Sequence, residues 1–191
     1  MATPTRERIL EVTAELFRRY GYTGTGLKQI VTSANAPFGS LYHHFPGGKQ
    51  ELGVEVVRRS GRMYYELFET IFAAAPDPIT AVDDFFAGAA DVLHATDYAD
   101  ACPIATVALE VASSNEPLRV ATAEVFDSWI TGTSTRFIAS GLERSTAREL
   151  AILLINMLEG AFVLSRAART TEAMQVARAA AVNTTRAAFS R

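Results

Sequence analysis

A chain of 191 residues that is 49% hydrophobic can bury one good core, or one core with a small satellite domain of three helices, and its composition argues against a disordered tail. Its single cysteine, Cys102, excludes an intramolecular disulfide and cannot build a thiolate metal site by itself, in keeping with a reducing compartment. The net charge of −3 hides an asymmetry: residues 1–62 hold 9 Lys and Arg against 5 Glu, while the remainder holds 9 against 16 acidic groups. A basic head on an acidic body is what a polyanion-binding module on a non-binding body would show, although a solvated helix face can produce the same imbalance.

The elements read as helices almost throughout. In the first, Thr3 can cap the N-terminus, Pro4 suits the first helical position and Gly21 the left-handed position after the last turn. Between them Ile9, Val12, Leu16, Phe17 and Tyr20 recur at helical spacing and make one apolar stripe. A short second helix, with Thr25 as N-cap, buries Leu27, Ile30, Val31 and Ala34. It stops where Asn35 tolerates positive φ and Pro37 can only open a new helix. The third runs from Pro37 to Phe45 with Leu41 and Phe45 on its inner side, and Pro46-Gly47-Gly48 ends it. Two short helices joined by a tight turn, the second bearing outward polar and aromatic groups, make a helix-turn-helix.

A fourth helix runs from Lys49 at least to Ala75, carrying Leu52, Val56, Tyr64, Leu67, Phe68 and Phe72. Pro76-Asp77-Pro78 breaks the chain before a fifth, Ile79 to His94, whose apolar side includes Val82, Phe85, Phe86 and Leu93. Cys102-Pro103 opens a sixth, which ends near Ser113-Ser114-Asn115, and Glu116-Pro117 a seventh that reaches Ser140-Gly141. Ser145 to Arg169 and Glu172 to Arg191 complete nine. The N-terminus from Met1 to Glu7 is polar, without the apolar stretch of an export signal. The longest strongly apolar run, Leu150 to Leu158, is about half of what spans a bilayer. The expectation is a cytoplasmic protein without a membrane partner.

The stretch Gly21-Tyr22-Thr23-Gly24-Thr25-Gly26-Leu27-Lys28-Gln29-Ile30, followed by Gly39-Ser40-Leu41-Tyr42-His43-His44-Phe45, Lys49 and Leu52, closely resembles the DNA-binding signature of the TetR family of regulators. Downstream, Cys102-Pro103-Ile104-Ala105 with Ala108-Leu109-Glu110, together with Phe45-Pro46-Gly47-Gly48-Lys49, looks like the LmrA/YxaF branch. The resemblance implies an all-α, nine-helix architecture. A helix-turn-helix domain at residues 1–48 would precede an effector-binding and dimerisation domain at 49–191, with helix four as connector. It implies a homodimer on a palindromic duplex operator, released by a small apolar or aromatic effector bound among helices four to seven, with helices eight and nine pairing the protomers. No cofactor, metal or catalytic group is implied.

Residues follow from that mapping. Pro37, Phe38, Gly39 and Ser40 form the leading turn of the reading helix: Gly39 permits close backbone approach, and the Ser40 hydroxyl can donate and accept. Tyr42, His43 and His44 match backbone-contacting positions. With Thr25 and Lys28 on helix two and Lys49 opening helix four, they would hold phosphates. Phe38 stands where members often carry lysine, which lowers the expected salt dependence and permits an apolar contact to a thymine methyl.

For the effector pocket the expected residues are Phe68, Phe72, Phe86, Ile104, Val107, Glu110, Trp129, Phe137, Asn156 and Glu159; for the dimer interface they are Leu154, Leu158, Phe162, Met174, Ala177 and Ala181. The aromatics are first of all core, and about half of them are expected to line a cavity, because binding sites of bundles form between helices and are mostly apolar. Glu110, in an otherwise apolar helix, needs a partner, either an arginine of a neighbouring helix or the effector. Asn156 and Glu159 could equally hydrogen-bond across a dimer. Two rivals stay open: a constitutive DNA-binding regulator without an effector, and an all-α enzyme pairing Glu110 with His94.

Overall fold

The computed structural model describes residues 3–190; Met1, Ala2 and Arg191 lie outside the described residues. Among those residues the chain forms nine α-helices and no strand: α1 (Thr5–Tyr20), α2 (Leu27–Ser33), α3 (Phe38–His44), α4 (Gly48–Ala74), α5 (Pro78–Ala95), α6 (Pro103–Val111), α7 (Glu116–Ala139), α8 (Arg144–Ala168) and α9 (Glu172–Phe189). They pack as two compact units. One comprises the described part of Met1–Met63 with Cys102–Val125, the other Tyr64–Ala101 with the described part of Phe126–Arg191. α6 therefore belongs with the head, and α4 and α7 each begin in the first unit and end in the second.

In the first unit Ile9, Leu10 and Phe17 of α1, Ile30 of α2, Leu41 of α3, Phe45, Leu52 and Val56 of α4, Ile104 and Val107 of α6 and Leu118 of α7 are all buried. Truncating a core phenylalanine such as Phe17 typically costs about 3–5 kcal/mol, so this cluster fixes the arrangement of the short helices. α4 and α7 meet closely here, because a Cβ on Gly61 would stand 2.5 Å from the Val125 side chain.

Several helix ends differ from expectation. Pro4, not Thr3, precedes the first turn of α1, and no side chain caps it; the Thr3 carbonyl instead accepts from Arg8 Nη1 at 2.7 Å. Gly26 precedes α2 in place of Thr25, whose hydroxyl points inward and donates to the Gly21 carbonyl at 2.7 Å. Pro37 stands outside α3 with extended backbone, φ −71° and ψ 152°. Two sequence signals hold: Gly21 has φ +70° after α1 and Asn35 has φ +47° in the turn. Asp77 caps α5 through the amides of Ile79 and Thr80, and the Cys102 thiol is buried at the start of α6.

The second unit is built on Val82, Phe86, Leu93, Phe137, Leu150, Leu154, Met174 and Ala181, ringed by Phe72, Phe85, Phe162 and Phe189. A bidentate pair of Arg178 on α9 with Asp83 on α5, both bonds 2.6 Å, ties two of its helices. α8 is by length and composition apolar enough to cross a membrane, but Ala147, Leu150, Ala151, Leu154, Ala161 and Ser165 along it are buried within its own unit.

Candidate nucleic-acid interface

The turn between α2 and α3 is closed by backbone bonds from Asn35 N to Thr32 O at 3.1 Å and from Ala36 N to Val31 O at 2.9 Å. Arg8 staples it from α1: its Nε donates to the Ala34 carbonyl at 3.2 Å and Nη2 to the Asn35 carbonyl at 3.4 Å. These are the carbonyls a helix end leaves without partners, so a fork of donors there replaces water. Sequence reasoning missed Arg8, which looked like one more basic residue of a charged face.

On α3, Leu41 and the following Phe45 are wholly buried, and that anchoring decides which side faces out. Phe38, Gly39, Tyr42 and His43 are exposed, Ser40 and His44 half-buried. Positions three and four apart are neighbours on a helix surface, so Phe38 lies over Tyr42 and Gly39 over Tyr42 and His43, and the four form one exposed strip beside exposed Pro37. The His44 ring stands edge-on to His43 and Phe45, with centroids 5.0 and 6.4 Å away. Lys28 is exposed on α2. Thr25, expected among the phosphate-holding groups, is wholly buried and its hydroxyl is committed to Gly21, so only its neighbours remain on the surface.

Lys49 is held differently from a solvated lysine. Its Nζ lies 4.3 Å from the centre of the Tyr22 ring, and burial lowers its pKa while the charge of Glu110 opposes the drop. Glu110 itself, expected at the effector pocket, bonds to the head: its Oε2 accepts the Thr23 amide at 2.8 Å. Much of the head's basic excess is likewise used internally, with Arg6 paired to Glu55, Arg59 to Glu7 and Arg58 to Glu124.

The residues expected to line an effector pocket fall into separate groups. Ile104 and Val107 are core of the first unit. In the second, Phe68 lies tilted against Phe72 with ring centroids 4.4 Å apart and meets Phe85 edge-on at 5.7 Å, and Phe72 meets Phe137 edge-on at 5.8 Å. Phe86 is buried in the core, while Trp129 belongs to a trio with Tyr64 and Phe126. Asn156 is exposed and Glu159 half-buried on α8. Beside the Phe68 rings lies a polar cluster that sequence reasoning missed: Glu69 accepts from Arg136 and from the Tyr65 hydroxyl, the latter at 2.8 Å. Hydrogen bonding to Arg136 holds the Glu69 carboxyl below the usual carboxylate range, against the opposing effect of burial.

Three of the residues expected at a dimer interface are also placed elsewhere. Leu154, Met174 and Ala181 are buried in the second unit's own core, while Leu158, Phe162 and Ala177 are half-buried. The exposed large apolar residues of α8 and α9 are Ile152, Leu153, Val163, Leu164 and Val176.

A helix-turn-helix whose reading helix is pinned on its inner side and bare on its outer side, carried by an all-α body, defines a DNA-binding regulator. Family comparison agrees: residues 9–56 match the model of bacterial regulatory proteins of the tetR family, and residues 78–180 match the C-terminal domain of LmrA/YxaF-like transcriptional regulators. The HTH-type transcriptional regulator YxaF of Bacillus subtilis is 36% identical over 84% of this chain and 84% of its own length, and LmrA of the same organism 32% identical over 87% and 89%. In fold, the crystal structure of a TetR regulatory protein from Rhodobacter sphaeroides superposes with a TM-score of 0.85 at 18% identity, covering 95% of this chain and 99% of that one. The chain belongs to the TetR family, as a transcriptional regulator with a DNA-binding helix-turn-helix and a C-terminal domain of the LmrA/YxaF type. Its relatives are regulators and not enzymes, and Glu110, one half of the conceivable acid-base pair with His94, is engaged by the Thr23 amide.

Proposed function

We propose that the protein is a homodimeric repressor that covers a palindromic operator in the cytoplasm and is released from it by a small apolar or aromatic effector. The observation that carries the DNA-reading part is the exposed strip Phe38, Gly39, Tyr42 and His43 over the buried anchors Leu41 and Phe45. Side chains from the first turn of such a helix reach base edges, while the flanking groups, here Tyr42, His43, Lys28 and Lys49, hold phosphates. Pairing is supported by the bare apolar residues of α8 and α9, which a two-fold partner would cover with the same residues of its own.

Release is supported by the continuity of α4, which carries Lys49 in its first turn and Phe68 and Phe72 towards its end. A ligand that favours one setting of this helix weakens DNA by the same factor by which DNA weakens the ligand, typically about 1–3 kcal/mol. The packing of Phe68, Phe72, Phe85 and Phe137 ring on ring favours a second reading, a constitutive regulator without an effector. Titration separates the two: a compound that binds the protein equally well with and without saturating operator is no inducer. For the interface, Tyr42→Ala is expected to weaken binding to all duplexes alike, and changes at Phe38 or Ser40 to alter the preferred base by about 1–3 kcal/mol. Full affinity in Tyr42→Ala at low salt removes the assignment.

A further inference from the structure

Glu110 is a carboxylate in the otherwise apolar α6, and it bonds to the segment between α1 and α2. Oε2 accepts the Thr23 amide at 2.8 Å, and Oε1 occupies the space above Gly21, where a Cβ would lie only 1.8 Å from it. A glycine at φ +70° thus serves both the turn and the seat of this carboxylate. The residue between these two, Tyr22, carries on its ring the ammonium of Lys49. The neighbouring Gln50 is tied to the same region, its Nε2 donating to Asn115 Oδ1 at 3.0 Å just beyond α6.

We propose that Glu110 is a positioning residue that holds the Lys49 ammonium on the protein, so that an internal carboxylate competes with DNA phosphate for the same cation. Lys49 presents three N–H donors on a flexible stem, and the Tyr22 face and the Glu110 charge draw that stem towards α6. Engaging a phosphate means leaving this cradle, and the cost sets how much the lysine adds to affinity. Any shift of α6 that withdraws Glu110 releases the lysine, so α6 tunes the DNA grip through one charge. The proposal rests on the reading of Lys49 as a phosphate contact, and its test separates the two.

Wild type, Glu110→Gln, Lys49→Ala and the double variant are titrated against a fluorescein-labelled random-sequence duplex at low salt, since phosphate contacts are independent of sequence. Glutamine keeps a carbonyl acceptor for the Thr23 amide but removes the charge. Glu110→Gln is expected to bind about two- to fivefold tighter than wild type, the range that interactions between solvent-accessible charges supply, and to lose this gain at high salt. In the Lys49→Ala background the same change is expected to do nothing. No gain in Glu110→Gln while Lys49→Ala weakens binding overturns the competition and leaves the clamp standing, and a gain that persists without Lys49 also overturns it. Unchanged binding in Lys49→Ala instead removes the clamp itself. The sequence has only two lysines, Lys28 and Lys49, which gives a second readout that needs no substitution. In wild-type protein reductively methylated with 13C, the Lys49 resonance is expected to move towards that of exposed Lys28 as salt rises and to shift when duplex is added. A Lys49 signal indifferent to both overturns the proposal.

Discussion

Leu164 on α8 is 62% exposed, yet it lies in a helix whose other side is already packed, so its apolar surface awaits a cover. Fully burying a leucine is worth about 1.5–3 kcal/mol, and covering the exposed 62% about 1–2 kcal/mol. A two-fold axis presents the residue twice, so Leu164→Ala is expected to cost the dimer about 2–4 kcal/mol, a weakening of roughly 30-fold to several hundred-fold. Sedimentation velocity over a concentration series measures this directly. The thermal midpoint of the dissociated chain is expected to stay where it was, because Leu164 takes no part in its own unit's core. A wild-type protein that remains monomeric at micromolar concentration, or a variant that dimerises as tightly as wild type, refutes the reasoning.

Arg8→Ala removes the donors that serve Ala34 and Asn35 and is expected to lower unfolding stability by about 1–2 kcal/mol in urea, with weaker DNA binding following from a loosened turn. The carboxyls of Glu69 and Asp83 are held low by hydrogen bonds to Arg136 and Arg178. Their folded pKa values lie below the unfolded ones, so their contribution is complete above the ordinary carboxylate range of about 4 and is lost as pH falls through the folded values. Thermal midpoints measured from neutral pH down to about pH 3 are expected to drop in that window, and to drop less in Asp83→Asn, which starts lower. Equal acid sensitivity in wild type and variant would show that the Asp83 pair contributes nothing.

Nearly all of the fold was legible because helical periodicity and punctuation agree along the chain: Gly21, Asn35, Pro37 and Pro78 mark boundaries that the backbone respects to within a residue. The outward strip of α3 was legible for the same reason, since Leu41 and Phe45 fix its inner side. What spacing cannot give is the partner of a polar group. Thr25 had the chemistry of an N-cap and a phosphate ligand, but a carbonyl four residues earlier took its hydroxyl. Glu110 was rightly singled out as needing a partner, and that partner proved to be a backbone amide 87 positions away, which no local pattern encodes. Around α8 every side is apolar, so periodicity could not say that Leu154 faces inward while Leu153 and Leu164 face out. The charge excess of the head overstated its bare positive surface, because Arg6, Arg58 and Arg59 are engaged by glutamates.

The central claim is that α3 reads a two-fold-symmetric operator. Selection of random-sequence duplexes by the purified full chain, followed by sequencing, tests it most directly. An inverted repeat with half-site centres about 34 Å apart or more is expected to be enriched, with a changed half-site when Phe38 or Ser40 is replaced. Absence of any enriched sequence, or a motif indifferent to those replacements, would contradict it.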